Sequence, residues 1–263
     1  MPGVTAIGWR AHAALTASGG RARVVTRLSE SCYAEAAGEL IWIGPPGSAL
    51  HPRAVLGPIP ASNAGVVNIV PGDVTPWRPA ATSLAPGGSR DAFHLLRDTL
   101  AMLGEPRGFA RLGTADLGND PMLARARRGA DRLQRAARSN DGPRFVDAAR
   151  LLLGLGEGLT PSGDDFVGGV LFGRRCLSGA PSSAWDGAIQ RVLDEARTRT
   201  HPVSALLLSD LAAGEGWAPL HALAAALALR QPEAARVAAK QLTAIGHSSG
   251  WDLLGGFALG LDG

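Results

Sequence analysis

The chain of 263 residues has only two cysteines and, among its 26 basic side chains, a single lysine, Lys240. Cys32 and Cys176 stand alone and far apart. That argues against a disulfide framework or a zinc knuckle and suits two reduced, packed thiols. The net charge of +3 and the high isoelectric point of about 9.5 reflect an arginine-for-lysine bias. The arginines are scattered over helical faces without interleaved aromatics, so no nucleic-acid groove is expected. Long apolar runs are missing too. The longest, near "APLHALAAALAL", is too short to cross a bilayer, so no membrane partner is expected. Arg10 and His12 fall where a secretion signal needs its apolar core, which makes the expected location cytoplasmic.

Glycine and periodicity, by contrast, are plentiful. From about Arg21 to Val70 the short runs "RARVVTRL", "CYAEAA", "ELIWIG" and "AGVVNIV" are separated by Gly, Pro, Ser and Asn, the spacing of a small antiparallel sheet or barrel. "PGDVTPWRPAATSLAPGG" then reads as a linker or a wall-like loop. After it, seven stretches from "DAFHLLRDTLAML" to "PEAARVAAKQLTAI" carry apolar residues at three and four spacing, several opening on Pro after a polar cap. The expected fold is α+β: a β-rich domain over residues 1–75, a Pro/Gly-rich linker over 76–89 and a larger all-helical domain over 90–263.

One segment of the helical part is repeated. "SGDDFVGGVLFG" from Ser162 aligns without a gap on "SGWDLLGGFALG" from Ser249. In each, Ser can cap a helix and the Asp three residues on, Asp165 or Asp252, can reach back as in a capping box. Capping does not explain the interior glycines. Gly168, Gly169 and Gly173, and Gly255, Gly256 and Gly260, cost about 0.8 to 1 kcal/mol each relative to Ala. Close backbone approach is the expected compensation, because Gly169 and Gly173, like Gly256 and Gly260, share one face a turn apart. If the two helices pack on each other about a local twofold, both N-termini converge on one pocket that attracts anions.

The lead into the first helix, "GLGEGLTPSGDD", lets consecutive N–H groups turn toward one point. It has no Gly-Lys-Ser/Thr and follows a helical pattern, so it is neither a P-loop nor a dinucleotide fingerprint. Candidate binding residues are Gly154, Gly156, Gly158, Thr160, Ser162, Gly163 and Asp164, joined by Ser249 and Gly250 from the second turn. Thr200 and Ser204 of "TRTHPVSALLLSD" extend the set, with Thr200 or His201 as a helix cap. Asp165 and Asp252 are the candidate proton-handling residues. Asp164 and Asp165 can also hold Mg²⁺, although an acidic pair at a helix start is usually solvated, and no metal site is assigned. His201 and His247 are candidate acid–base groups, though such histidines more often cap or pack. Asn63 and Asn68, in the strand "NAGVVNIV", and Trp77 beyond it are candidates for lining the seam between sheet and helices.

"LGLGEGLTPSGDDFVGGVL", then "THPVSALLL", then "GHSSGWDLLGGFALG" resembles the signature order of a bacterial family of uncharacterised domains that includes the AllH-type subunit of oxamate carbamoyltransferase. The match is specific in the first and last blocks, and Glu157 stands where the family more commonly has Pro. The resemblance implies a role in anaerobic purine breakdown, including allantoin catabolism. There oxalurate and phosphate become oxamate and carbamoyl phosphate on an enzyme of several different subunits. The implied ligand is therefore phosphate or carbamoyl phosphate, and the implied partners are other transferase subunits. A non-catalytic scaffold or regulatory subunit and a Mg²⁺-dependent small-molecule kinase are the alternatives.

Overall fold

A computed structural model describes residues 3–60, 65–84, 88–114, 116–178 and 183–262. The chain divides into two compact units, Met1–Ala80 and Ala81–Gly263. Asn63 lies outside the described residues.

The first unit is a curled six-stranded sheet with one helix on it. Strands β1 (Ala6–Ile7), β2 (Arg21–Arg27), β3 (Cys32–Ala36), β4 (Glu39–Gly44), β5 (Ala54–Leu56) and β6 (Val66–Asn68) lie in the order β1-β5-β4-β3-β2-β6. Strand β2 alternates, with Ala22 and Val24 buried and Arg21, Arg23 and Val25 exposed, and so has one core face. A two-residue turn joins β3 to β4, and both Ala37 and Gly38 have positive φ, +49° and +80°. That conformation matches the twist of the flanking strands. The antiparallel expectation needs one correction. Strand β5 runs parallel to β4, reached by a connection from Pro45 to Arg53, so the sheet is mixed. Helix α1 (Trp9–Ala17), β1 and β5 are also additions to the pattern read from sequence. Helix α1 has no side-chain cap, and the two strands span only two and three residues. Their contribution is the core itself: Ile7, Leu15 and Val55 are buried with Ile41 and Ile43 of β4.

The expected linker is held at both ends. Trp77 bridges to Gly8, exchanging backbone hydrogen bonds with Ile7 and Trp9 inside the first unit. Leu84 is buried in the helical unit, and its N–H donates to the Cys176 carbonyl at 2.8 Å.

The second unit comprises α2 (Ser89–Ala101), a 3-10 helix (Gly108–Gly113), α3 (Pro121–Arg138), α4 (Gly142–Ala149), α5 (Ser162–Ser178), α6 (Ser183–Arg199), α7 (Pro202–Ala212), α8 (Ala218–Ala228), α9 (Pro232–Thr243) and α10 (Ser249–Leu261). Their starts follow local chemistry. Asp120, Asp141 and His201 accept N–H bonds as caps of α3, α4 and α7, each with Pro in the first turn.

These elements are two copies of one plan. Helix α2, the 3-10 helix, α3, α4 and α5 are followed by α6, α7, α8, α9 and α10 in the same roles. Helix α2 packs on α9 while α6 packs on α4; the 3-10 helix packs on α10 while α7 packs on α5. Each copy thus lays its first two elements on the other, and α5 meets α10 on the axis between them. The turns agree where the residues do not. Asn140 after α3 and Arg230 after α8 both have φ +55°, and the next N–H closes on the Ala136 or Ala226 carbonyl at 2.9 and 2.8 Å. Ahead of α5, the Gly163 N–H reaches the Leu155 carbonyl; ahead of α10, the Gly250 N–H reaches that of Ile245.

The α5–α10 contact shows what the helix glycines do. A methyl group on Gly169 would overlap the Leu253 carbonyl oxygen, and one on Gly256 would overlap that of Phe166. One turn further, a methyl on Gly173 would come to 2.9 Å from the Phe257 oxygen and one on Gly260 to 2.5 Å from the Val170 oxygen. The reciprocity of these pairs defines a local pseudo-twofold, and backbone lies against backbone.

Candidate functional site

Because the axis passes between α5 and α10, their N-termini come together. The helices begin at Ser162 and Ser249, each immediately before a glycine whose missing side chain lets a carbonyl approach: Leu152 at Gly163, Leu242 at Gly250. Across the seam the Thr160 hydroxyl is 3.2 Å from that of Ser249, and the Ser162 hydroxyl is 3.4 Å from that of Ser248. All four hydroxyl residues are half-buried. The capping-box reading is corrected here. Ser248, not Ser249, is the N-cap of α10, and it makes no side-chain cap bond. The Asp252 Oδ1 instead accepts the Phe109 N–H at 2.6 Å. Gly108 makes room for this at φ +51°, where a side chain would collide with the carboxylate.

Beneath the hydroxyls lie the two equivalent carboxyls. Asp165 is 6 % exposed and Asp252 fully buried, and the Oδ2 atom of each has no hydrogen-bond partner. Burial raises both above the ordinary carboxylate range. Asp165 stands well above it, pushed further by the nearby Asp252 and Asp164 charges and pulled back in part by the Ser249 and Thr160 hydroxyls. Asp252 is raised to about 6 by burial, against the lowering effect of the Phe109 N–H and the Ser162 and Ser248 hydroxyls. The arrangement is crossed: the Asp of α5 is tuned from the start of α10, and the Asp of α10 from the start of α5.

Asp164 has a different place. It accepts from the Gly154 N–H at 2.8 Å, from the Ser204 hydroxyl at 2.7 Å and from the Thr200 hydroxyl. Thr200 and Ser204 therefore tie the start of α7 to α5 and to the glycine loop. This closed set of bonds braces the site from below, and His201 is spent on capping α7 through Val203 at 3.2 Å. Gly154 and Gly156 have φ of +73° and +126°, which the loop requires to turn back on Ser162. Glu157, Gly158 and His247 are exposed. Asn68 is exposed on edge strand β6, and both it and Trp77 belong to the first unit rather than to the one carrying these turns. Among the described residues no group of three or more His, Cys, Asp or Glu side chains is placed to hold a metal ion, and no helix is long and apolar enough to cross a membrane.

Sequence reasoning missed Ser248 and the Phe109 N–H. The Ser248-Ser249 doublet was the available signal for the first; nothing local marks the second, which arrives from the other copy of the repeat.

What the geometry defines is a duplicated helical module whose two central helices start side by side, with four hydroxyls above two buried carboxyls that burial raises above the ordinary carboxylate range. Residues 152–261, which hold both turns, match the protein family described as oxamate carbamoyltransferase subunit AllH. No curated protein and no solved structure matches the chain.

Proposed function

We propose that this chain is a subunit of an oxamate carbamoyltransferase-like enzyme and that the α5–α10 seam holds phosphate or the phosphate end of carbamoyl phosphate. The observation that carries the reading is the crossed pair Asp165 and Asp252, each with a free oxygen beneath Thr160, Ser162, Ser248 and Ser249. Helix N-termini and hydroxyls donate to an anion, and a carboxyl that keeps its proton donates where a carboxylate would repel.

In the direction from oxalurate, a phosphate oxygen attacks the carbamoyl carbon and the bond from that carbon to the oxamate nitrogen breaks. The nitrogen leaves with a proton and the phosphate hydroxyl loses one. Asp165, raised well above the ordinary carboxylate range by burial, supplies the first, and Asp252, raised to about 6, accepts the second. The hydroxyls and N–H groups of the seam carry the charge that gathers on the carbamoyl oxygen. Partner subunits complete the enzyme, and the chain works with them in the cytoplasm.

Titration calorimetry with inorganic phosphate and with carbamoyl phosphate tests the site. Ser162→Ala and Ser249→Ala are each expected to weaken binding about tenfold, with a double-mutant loss smaller than the sum because one anion is shared. Additive losses, or an unliganded wild-type chain at millimolar anion, would leave the seam as helix packing in a scaffold subunit.

A further inference from the structure

Val25, Leu28, Val66 and Val70 are exposed, and all four lie on strands β2 and β6 or within two residues of their ends, at one border of the sheet. Strand β6 is that border: among the described residues it pairs with β2 and with no other strand. Edge strands are normally blunted by charge, proline or a bulge, because their free N–H and C=O groups accept another strand. Between Gly65 and Pro71 this edge has neither charge nor proline, and its pairing with β2 runs without a register shift. The five residues read Val66, Val67, Asn68, Ile69, Val70, a β-branched pair on either side of one asparagine, so the order is the same in both directions. We propose that this palindrome is a self-pairing edge: two copies of the chain join β6 to β6 antiparallel about Asn68, and one sheet runs through both.

The backbone is turned the right way. The Ile69 N–H donates to the Gly20 carbonyl at 2.7 Å, and the Gly65 carbonyl accepts from the Val24 N–H at 3.3 Å, so Gly65, Val67 and Ile69 direct their peptide groups toward β2. Alternate residues of an antiparallel ladder face the other way, and Val66 and Asn68 direct theirs outward. The side chains alternate as well: Val67 and Ile69 pack against the core of the sheet, whereas Val66 and Val70 are 54 % and 76 % exposed, with Asn68 exposed between them. With Asn68 opposite its own copy, position 66 of one chain meets position 70 of the other, and 67 meets 69. Each exposed valine is then covered by a valine, Val67 lies beside Ile69 on the core side, and the outward peptide groups face one another. A register centred on Val67 would set Val66 against Asn68 and leave Val70 uncovered. The central amide is its own complement, since each asparagine both donates and accepts. Charge does not oppose the pairing. Arg23 is held by Glu35 at 2.5 Å. Arg21, opposite Asn68 in β2, would stand three strand spacings from its copy, about 14 Å and beyond the screening length. Five paired residues cover less than the about 1,200 Å² of a standard interface, so the dimer forms in proportion to concentration rather than obligatorily.

Sedimentation equilibrium on the full chain over a range of concentrations is the test. Wild type is expected to pass from monomer to dimer as concentration rises. Asn68→Asp sets two carboxylates face to face and should weaken the dimer about tenfold, and Val66→Glu or Val70→Lys alone, each counted twice across the axis, should do the same. Val66→Glu and Val70→Lys together in one chain should restore the dimer, because each new carboxylate then meets an ammonium of the other copy; no other register makes that match. Val237→Lys, at an exposed valine of α9, should leave the association unchanged. The pairing is independent of the α5–α10 seam, so Ser162→Ala should dimerise as wild type does. A wild-type chain that stays monomeric at every concentration, a dimer that survives Asn68→Asp, or a double variant no better than its parts overturns the proposal. Positions 66, 68 and 70 are exposed, so unchanged circular dichroism spectra and melting temperatures are expected to show that the variants fold.

Discussion

Asp252 is fully buried with one oxygen on the Phe109 N–H and the other unpartnered. A carboxyl in that position costs stability when it ionises, and the sign is fixed by comparing the folded and unfolded chains. Its folded value of about 6 stands above the ordinary 3.8, so between those values the folded state binds the proton more tightly. Stability therefore falls as pH rises from about 4 through 6 and stays low above it, by about 3 kcal/mol if this group acts alone. Asp165, also raised by burial, acts in the same direction. Asp252→Asn keeps an acceptor for Phe109 and removes the charge. Its melting temperature is expected to decline less steeply between pH 4.5 and 7 than that of wild type. Parallel declines in the two proteins would mean that Asp252 is not the source. Asp164 has three donors on its oxygens, so Asp164→Ala should loosen Gly154 and α7 together and lower the melting temperature.

Helices α5 and α10 contain glycines that helix propensity disfavours, and the reason is visible between them. Where a Cβ would strike a carbonyl, adding one costs more than the propensity it returns. Gly256→Ala and Gly169→Ala are expected to destabilise by about 1 to 3 kcal/mol, and Leu at either position by more. Gly187 in α6 is the control: it is exposed, with nothing near its missing Cβ. Ala there should stabilise by close to 1 kcal/mol. Thermal melts of the three Ala variants check both signs at once, and a stabilised Gly256→Ala would remove the close-packed face. This contact was legible in the sequence because an interior helix glycine is costly enough to demand a cause, and two sets at one spacing demand a shared one. The role of Ser162 and Ser249 was less legible. A serine before a glycine at a helix start reads as a cap, and only the second helix, brought alongside, turns it toward another hydroxyl. Helix α1 and strands β1 and β5 were missed for a related reason. Each is too short or too weakly amphipathic to declare itself, and each is held by the sheet it completes.

Across the whole molecule the repeat extends well beyond the segment in which residues still coincide. Asn140 and Arg230 share φ +55° without sharing chemistry. Helix α3 carries six arginines, whereas α8 in the same role is "APLHALAAALA" with seven buried residues. A duplicated backbone keeps its turns and its axis, while each copy's surface follows what covers it; the residues themselves coincide along the first turns and the glycine faces of α5 and α10. The mixed sheet of the first unit shows no counterpart of this plan, and its core of Ile7, Leu15, Ile41 and Ile43 is its own. The helical unit likewise closes its own cores, one around α3 to α6 and one around α2 and α8 to α10. Both turns, both carboxyls and their hydroxyl partners lie within Ala81–Gly263. Residues 81–263 expressed alone are therefore expected to give a helical circular dichroism spectrum and one cooperative melt. They should also bind phosphate at the seam within a fewfold of the full chain. A segment that melts cooperatively yet no longer binds would show that residues of the first unit belong to the site, and the two-copy module would then be its frame rather than the whole of it.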